Sequence, residues 1–171
     1  LQSVQDKGQT YPSLLEKITL QTVQLILHSE DENDARFTLG LLRYTLREVI
    51  ELKYQNPLQR SLGFLLRICK HHDHALHAHL QYINGNREDF RIWRELSLLH
   101  RQKKEKIGLS LLIRALSEAD RQGIPSLQQI PILEEAALLA DSLGEEQQAY
   151  LLARCALDIL VQAQQKIPYD L

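Results

Sequence analysis

Residues 70–79, KHHDHALHAH, concentrate the side chains of this chain that are best suited to chemistry. They include five of its seven histidines. Imidazole is the commonest protein ligand for transition metals, and ligands on one helix face need a spacing of three or four residues. Such spacings make a zinc or nickel site one hypothesis, with His28 or His100 joining from another helix. The candidate ligands within the segment are His71, Asp73, His74 and His77.

The same histidines also have plainer interpretations. His72 and His79 are seven residues apart on another face of a helix, so the imidazoles spread around it and do not converge. No H-E-x-x-H motif and no Cys-x-x-Cys pair accompanies them. A partner surface that responds to pH is a second hypothesis. Ordinary polar histidines of a helix and the turn before it are the interpretation that the sequence favours.

The only basic run, RQKKEK at 101–106, is expected at a turn between two helices. A solvated turn is favoured, and contact with a phosphate or an acidic partner is the alternative. No aromatic residue lies within the run to stack on bases, which disfavours nucleic acid. The single tryptophan has the spacing of a core position, with a binding anchor as the alternative. The candidate partner-binding residues are Trp93, His100, Arg101, Lys103 and Lys104.

Motifs of catalysis are absent from the sequence. Its seven glycines form no phosphate-binding loop, and it contains no G-x-S-x-G motif. The acidic segment 30–34 lacks the glycine and the ligand spacing of a calcium loop, so it is expected to be solvated. We therefore predict no catalytic residue, no cofactor and no enzymatic activity.

The composition indicates a helical protein. Its 34 leucines against four valines favour helices, because strands prefer β-branched residues. The net charge of −2 gives no general attraction to a polyanion. No segment is long and apolar enough to span a bilayer. Cys69 and Cys155 are predicted to be buried free thiols, which favours an intracellular, cytoplasmic location, with the nucleus left open. A chain that begins at Leu1 and has no methionine is expected to be a piece of a longer protein.

Hydrophobic periodicity and capping signals predict eight helices in one all-helical domain over residues 13–171, after a flexible tail at 1–12. Ser13 and Glu16 form a capping box at the start of the first helix. The second helix is expected over 35–55, with Phe37 among its apolar positions, and Asn56-Pro57 is expected to separate it from the third. The remaining predicted features are a cap at Asp73, a turn at 84–86, a stop at 123–125, Pro131 in the first turn of the seventh helix, and an eighth helix over about 145–166.

A faint internal repeat follows the predicted helix pairs. Leu62-Gly63, followed by Leu66 and Ala75, is echoed 34 residues later by Leu96-Ser97, which Trp93 precedes and which His100 and Leu109 follow. A third unit, over 133–156, has small residues at the expected helix crossings. The pattern resembles the tetratricopeptide repeat, W-x-x-L-G-x-x-Y followed by a turn and A-x-x-x-F-x-x-A. Ser97 and His100 depart from its glycine and tyrosine, and the third unit is offset by 40 residues. The resemblance implies a scaffold that binds a peptide or a partner helix in a groove.

The predicted fold class is thus all-α, with about eight helices in four antiparallel hairpins, as a tetratricopeptide-like solenoid or a helical bundle. The predicted function is non-catalytic protein–protein interaction, as a scaffold or adaptor domain or a subunit of a larger assembly. A homo-oligomer stays open. The alternative is a metal-binding sensor or metal-dependent enzyme centred on residues 71–79.

Overall fold

The computed structural model describes residues 4–6, 9–11, 14–48, 52–101 and 104–165. These residues form eight α-helices, which confirms the predicted all-α class. The helices are α1 (Leu14–Ser29), α2 (Glu32–Glu48), α3 (Leu52–Ile68), α4 (His72–Ile83), α5 (Phe90–His100), α6 (Glu105–Arg121), α7 (Ser126–Ser142) and α8 (Glu146–Gln165). Successive helices pack as the pairs α1–α2, α3–α4, α5–α6 and α7–α8.

A short β-hairpin precedes α1, which the expectation of helices alone did not include. Strand β1 (Val4–Asp6) pairs antiparallel with β2 (Gln9–Tyr11), with Val4 opposite Tyr11. The proposed capping residue Ser13 lies outside the described residues.

The backbone contacts divide the chain into two compact units, 1–85 and 86–171. In the first unit α2 packs on α1 and α3, and α1 also contacts α3. In the second unit α6 packs on α5 and α7, and α7 carries α8. The single domain over 13–171 and the flexible tail over 1–12 both stay predictions.

Two prolines that were expected near helix starts lie farther inside. Asn56-Pro57 does not separate two helices, because α3 begins at Leu52 and Pro57 is its sixth residue. Likewise Pro131 is the sixth residue of α7, in its second turn and not its first. Each proline lacks a backbone N–H, so each removes one hydrogen bond near the start of its helix. In α3, Leu58 next to Pro57 is fully buried, so tertiary packing keeps this turn helical.

The helix starts also differ in their caps. Asp73 does not cap α4, because the helix begins one residue earlier at His72, and the N-cap His71 makes no side-chain hydrogen bond. The carboxylate of Asp89 does cap α5 and accepts a bond from the backbone N–H of Arg91.

Glycines end α6 and α7 as the sequence predicts. Gly123 has φ of +65° and Gly144 has φ of +75°, a region that only glycine enters without strain. These turns confirm the predicted ends of α6 and α7 and the predicted start of α8.

The repeat predicted from the sequence corresponds to small buried residues at helix crossings. Gly63 of α3, Ser97 of α5 and Ala137 of α7 are all buried. Gly63 lies against the imidazole of His79 in α4, and the hydroxyl of Ser97 donates to the carbonyl oxygen of Gly108 in α6 at 2.8 Å. The small residues at the α3–α4 and α5–α6 crossings let these paired helices approach closely.

The core of the first unit includes polar groups that are paired within it. The hydroxyl oxygens of Thr19 in α1 and Thr45 in α2 are 2.8 Å apart and buried. His79 is fully buried, with its ring edge-on to Phe64 at a centroid distance of 5.4 Å. The largest fully buried apolar side chains of this unit are Val23, Leu42, Leu58 and Leu65.

The core of the second unit lies between α5, α6, α7 and α8. Phe90, Leu112, Ile132 and Ala156 are among its buried members. Both cysteines are free, as predicted, and Cys69 is buried, but Cys155 is exposed. The prediction for Cys155 is wrong because its neighbour Ala156 takes the position that faces α7.

Candidate protein-binding surfaces

The side chains of the histidine segment do not converge on a site that could bind a metal ion. His71, Asp73, His74 and His77 are all exposed on α4 or just before it. The rings of His71 and His74 are 6.1 Å apart and edge-to-face, and the Nε2 atom of His77 lies 2.9 Å from the amide nitrogen of Gln81. Within the described ranges, no three His, Cys, Asp or Glu side chains could hold a metal ion together. The metal hypothesis therefore gains no support.

His79 takes no part in that exposed set, because it belongs to the core. His28, proposed as a further ligand, is exposed at the end of α1, and its Nδ1 contacts the carbonyl oxygen of Gln24 at 2.6 Å.

The candidate partner-binding residues differ in their burial and contacts. Trp93 is half-buried against the core of the second unit, and its indole N–H donates to the carbonyl oxygen of Arg87 at 2.7 Å. The guanidinium of Arg114 lies 5.7 Å from its ring centroid. Trp93 is thus engaged within its own unit, the position that its spacing favours. His100 is half-buried, Arg101 and Lys104 are exposed, and Lys103 lies outside the described residues. Their role in binding stays a prediction.

The acidic segment before α2 connects the helices of the first unit and is not simply solvated. The carboxylate of Asp31 accepts bonds from two backbone N–H groups of the first turn of α2, each at 2.9 Å. Glu30 pairs with Arg67 at 2.9 Å, and Glu32 pairs with Lys70 at 2.6 Å. The hydrogen bond from Lys70, followed by that from Arg36, lowers the pKa of Glu32 to about 2.

Two clefts open on the units. One, of about 310 Å³ in the first unit, is lined by Leu46, Gln59, Leu62, Ala78, Gln81 and Tyr82. The other, of about 530 Å³ at the start of α8, is lined by residues 144–148 and Leu151. Neither lining combines the nucleophile, base and orienting group that nucleophilic catalysis uses.

The last described helix presents apolar side chains to solvent. Its buried face is centred on Ala156, with Leu152 and Ile159 partly buried beside it. A second set of residues recurs at helical spacing next to that face, within an arc of about 100°. Tyr150 is 62% exposed and Leu157 is 56% exposed. We call this set the α8 stripe; its members are Tyr150, Ala153, Leu157, Leu160 and Val161.

Helix α2 presents a second apolar feature, which the sequence interpretation missed. Phe37 was predicted among the apolar positions of this helix but is 78% exposed, and Tyr44 is 56% exposed on the same side. Gly40 lies between them. We call Phe37, Gly40 and Tyr44 the α2 face. The sequence did contain a signal for this exposed face: α2 carries two apolar stripes, and only one of them can face the core.

The paired helices form a tetratricopeptide-like helical-repeat fold, and similar solved structures confirm this fold class. A MamA fragment, residue 41 to the end, from Desulfovibrio magneticus RS-1 is similar over 86% of this chain and 76% of its own, with TM-score 0.66 and 11% identity. The TPR-like repeats of a putative kinesin light chain from Podosopora anserina are similar over 88% and 78%, with TM-score 0.68 and 11% identity. BtubC (BKLC) from P. vanneervenii is similar over 94% and 78%, with TM-score 0.66 and 16% identity.

Likeness at such low identity is a likeness of fold. No family model matches the sequence. No curated protein matches it either. None of the helices in the described part of the chain has both the length and the apolar character needed to cross a membrane.

Proposed function

We propose that this chain is a non-catalytic protein-interaction module, an adaptor or a subunit of a larger assembly, and that the α8 stripe is its binding surface. The fold likeness to helical-repeat proteins supports this class of function. The observation that carries the proposal is the exposure of four large apolar side chains on one side of α8, which the core of the unit does not use. Contiguous exposed apolar side chains mark interaction sites more often than isolated ones do.

A partner that covers the α8 stripe would gain from burying it. Full burial of one leucine side chain contributes roughly 1.5–3 kcal/mol. Leu157 is already about half covered by its own helix and unit, so a partner would recover about 1 kcal/mol from it. The stripe runs from Tyr150 to Val161, which matches the contact length of a partner helix lying alongside. Free thiols at Cys69 and Cys155 support a reducing, intracellular setting.

A site-specific photo-crosslink tests the proposal. A photoreactive residue replaces Ala153, which is exposed within the stripe, and the full chain is irradiated in an extract of its source cells. The crosslinked protein is identified, purified and titrated calorimetrically against the chain. We expect L157S/V161S to weaken this binding about tenfold or more, since roughly 1.4 kcal/mol corresponds to a factor of ten.

The matched control is Leu127→Ser in α7, because Leu127 is 53% exposed in the same unit but outside the stripe. It should leave the affinity unchanged. Absence of any crosslinked protein, or a purified partner that binds L157S/V161S as tightly as the parent chain, would contradict the proposal.

A further inference from the structure

The α2 face combines two exposed aromatic rings with a gap between them. Phe37 and Tyr44 are seven residues apart, so they project from the same side of the helix about 10.5 Å apart along its axis. The opposite side of α2 supplies the core of the first unit through Ala35, Leu39 and Leu42. The two rings therefore contribute little to the packing of their own unit.

Gly40 makes the gap between the rings, and the fold does not require a glycine there. A Cβ atom built at Gly40 meets nothing within 4 Å, and the residue is exposed in the middle of a helix. Glycine is less favourable than alanine at such a position because it loses more backbone freedom. What glycine does provide is close approach: another backbone or side chain can lie against α2 between the two rings.

Arginines follow one edge of this face. Arg36, Arg43 and Arg47 recur at spacings of seven and four residues, all exposed. Arg36 is bound by Glu32 at 2.7 Å. Arg43 and Arg47 are like charges at the i,i+4 spacing, which is unfavourable in the isolated chain and becomes favourable beside carboxylates.

The opposite edge of the face carries acidic side chains. Asp34 and Glu48 are exposed there. Carboxylates beside the rings would repel a phosphate backbone, and the net charge of the chain is −2. The charge pattern thus favours a protein segment over a nucleic acid, and an acidic edge of that segment would lie along the arginines.

We propose that the α2 face binds an amphipathic helix of a partner protein, with an apolar side chain seated over Gly40 between Phe37 and Tyr44 and with carboxylates against Arg43 and Arg47. The spacing of the rings equals one heptad, so a partner helix with apolar residues at heptad spacing can place one of them in the gap. Because the arginines lie along one edge only, the carboxylates of that helix must lie on the side that faces this edge. This site lies in the first unit and is separate from the α8 stripe, so either proposal can fail while the other holds.

Two matched peptides test the proposal on the full chain. Each has three heptads with alanine and leucine on one face, and the flanking positions hold glutamate in one peptide and lysine in the other. Fluorescence anisotropy of labelled peptides at about 0.1 M salt measures binding. We expect the glutamate peptide to bind at least tenfold more tightly than the lysine peptide. The variant R43E/R47E should reverse this preference, and Lys17→Glu on α1, an equal change of charge per site, should not.

Gly40→Ala separates a binding role from a folding role. It should raise the midpoint of thermal unfolding by a few degrees, because alanine is the better helix former. The added methyl group fills the gap, so affinity for the glutamate peptide should fall at least fivefold. A more stable protein that binds less well cannot be explained by unfolding.

Several results would overturn the assignment. These are equal binding of the two peptides, no binding of either peptide at 1 mM, or binding of the glutamate peptide that Gly40→Ala and R43E/R47E leave unchanged. Tighter binding of a single-stranded oligonucleotide that R43E/R47E abolishes would assign the face to nucleic acid. Concentration-dependent dimerisation that Gly40→Ala abolishes would assign it to a second copy of the chain.

Discussion

Substitution of Gly63 by alanine should destabilise the first unit through one contact. Gly63 in α3 and His79 in α4 are both buried where the two helices cross. A Cβ atom at Gly63 would lie 2.5 Å from Nδ1 and 2.7 Å from Nε2 of the imidazole. Ordinary contacts between such atoms are about 3.5 Å, so the ring or one of the helices must move by about 1 Å.

The magnitude follows from two opposing effects. Overpacking in a close-packed core costs roughly 1–3 kcal/mol. Replacing a helical glycine by alanine returns up to about 1 kcal/mol. Since the overlap requires a movement of about 1 Å, the cost falls in the upper part of that range, about 2–3 kcal/mol. The net loss expected for Gly63→Ala is therefore about 1–2 kcal/mol in the free energy of unfolding.

The assay is a double-mutant cycle. Urea unfolding followed by circular dichroism gives the free energies, and hydrogen exchange of the α3 and α4 amides assigns the change to this unit. In a His79→Ala background the ring is gone, so Gly63→Ala should become stabilising by about 0.5–1 kcal/mol. Gly40→Ala is the matched control, the same substitution in an open helical position, and should stabilise by a similar amount.

A change of sign between the two backgrounds is the decisive result. If Gly63→Ala costs the same with and without the imidazole, the crossing is not limited by this contact. If it stabilises the parent chain, α3 and α4 are farther apart than the structure places them. Either result refutes the reasoning.

Three further predictions concern single residues. Hydrogen bonding from Lys70 lowers the pKa of Glu32 from 4.5 to about 2, so the stabilisation by the ionised Glu32 is complete above about pH 4.5 and is lost as the pH falls toward 2. Glu32→Gln should flatten that part of the profile of melting temperature against pH. Cys155 should react with a thiol-reactive disulfide reagent in the folded chain, whereas Cys69 should react only on unfolding, because it is buried and desolvation raises its pKa; equal rates for both thiols would contradict this. Asp89→Ala should cost about 1 kcal/mol by removing the cap of α5, and Asp89→Ser should restore most of it, as measured by urea unfolding.

Local sequence determined the helices and most of their ends. A leucine-rich, valine-poor composition predicted helices throughout, because helix formation depends on side-chain entropy within each segment. Gly123 and Gly144 ended their helices as predicted, since a residue with positive φ stops a helix wherever it occurs. The 34-residue echo of Gly63 in Ser97 likewise indicated the repeat, because a close helix crossing requires a small residue.

Clusters in the sequence were poor guides to sites. The histidine segment raised a metal hypothesis, although its spacing favoured histidines that spread around a helix. In the structure His79 is fully buried while His71 and His74 are exposed. The pairing of Glu32 with Lys70 joins residues that lie 38 positions apart, and no local pattern predicts it. Such outcomes depend on which helices become neighbours.

Helical periodicity fixed the directions in which side chains leave α2, but only the tertiary structure decided which direction faces the core. Judged by hydrophobicity, Phe37 was the better core residue than Thr38 or Thr45. The small threonine side chains instead let α1 and α2 approach until the hydroxyls of Thr19 and Thr45 meet at 2.8 Å. Close packing between the two helices therefore outweighed the burial of one large ring, and Phe37 was left in solvent, where it forms part of the proposed binding face.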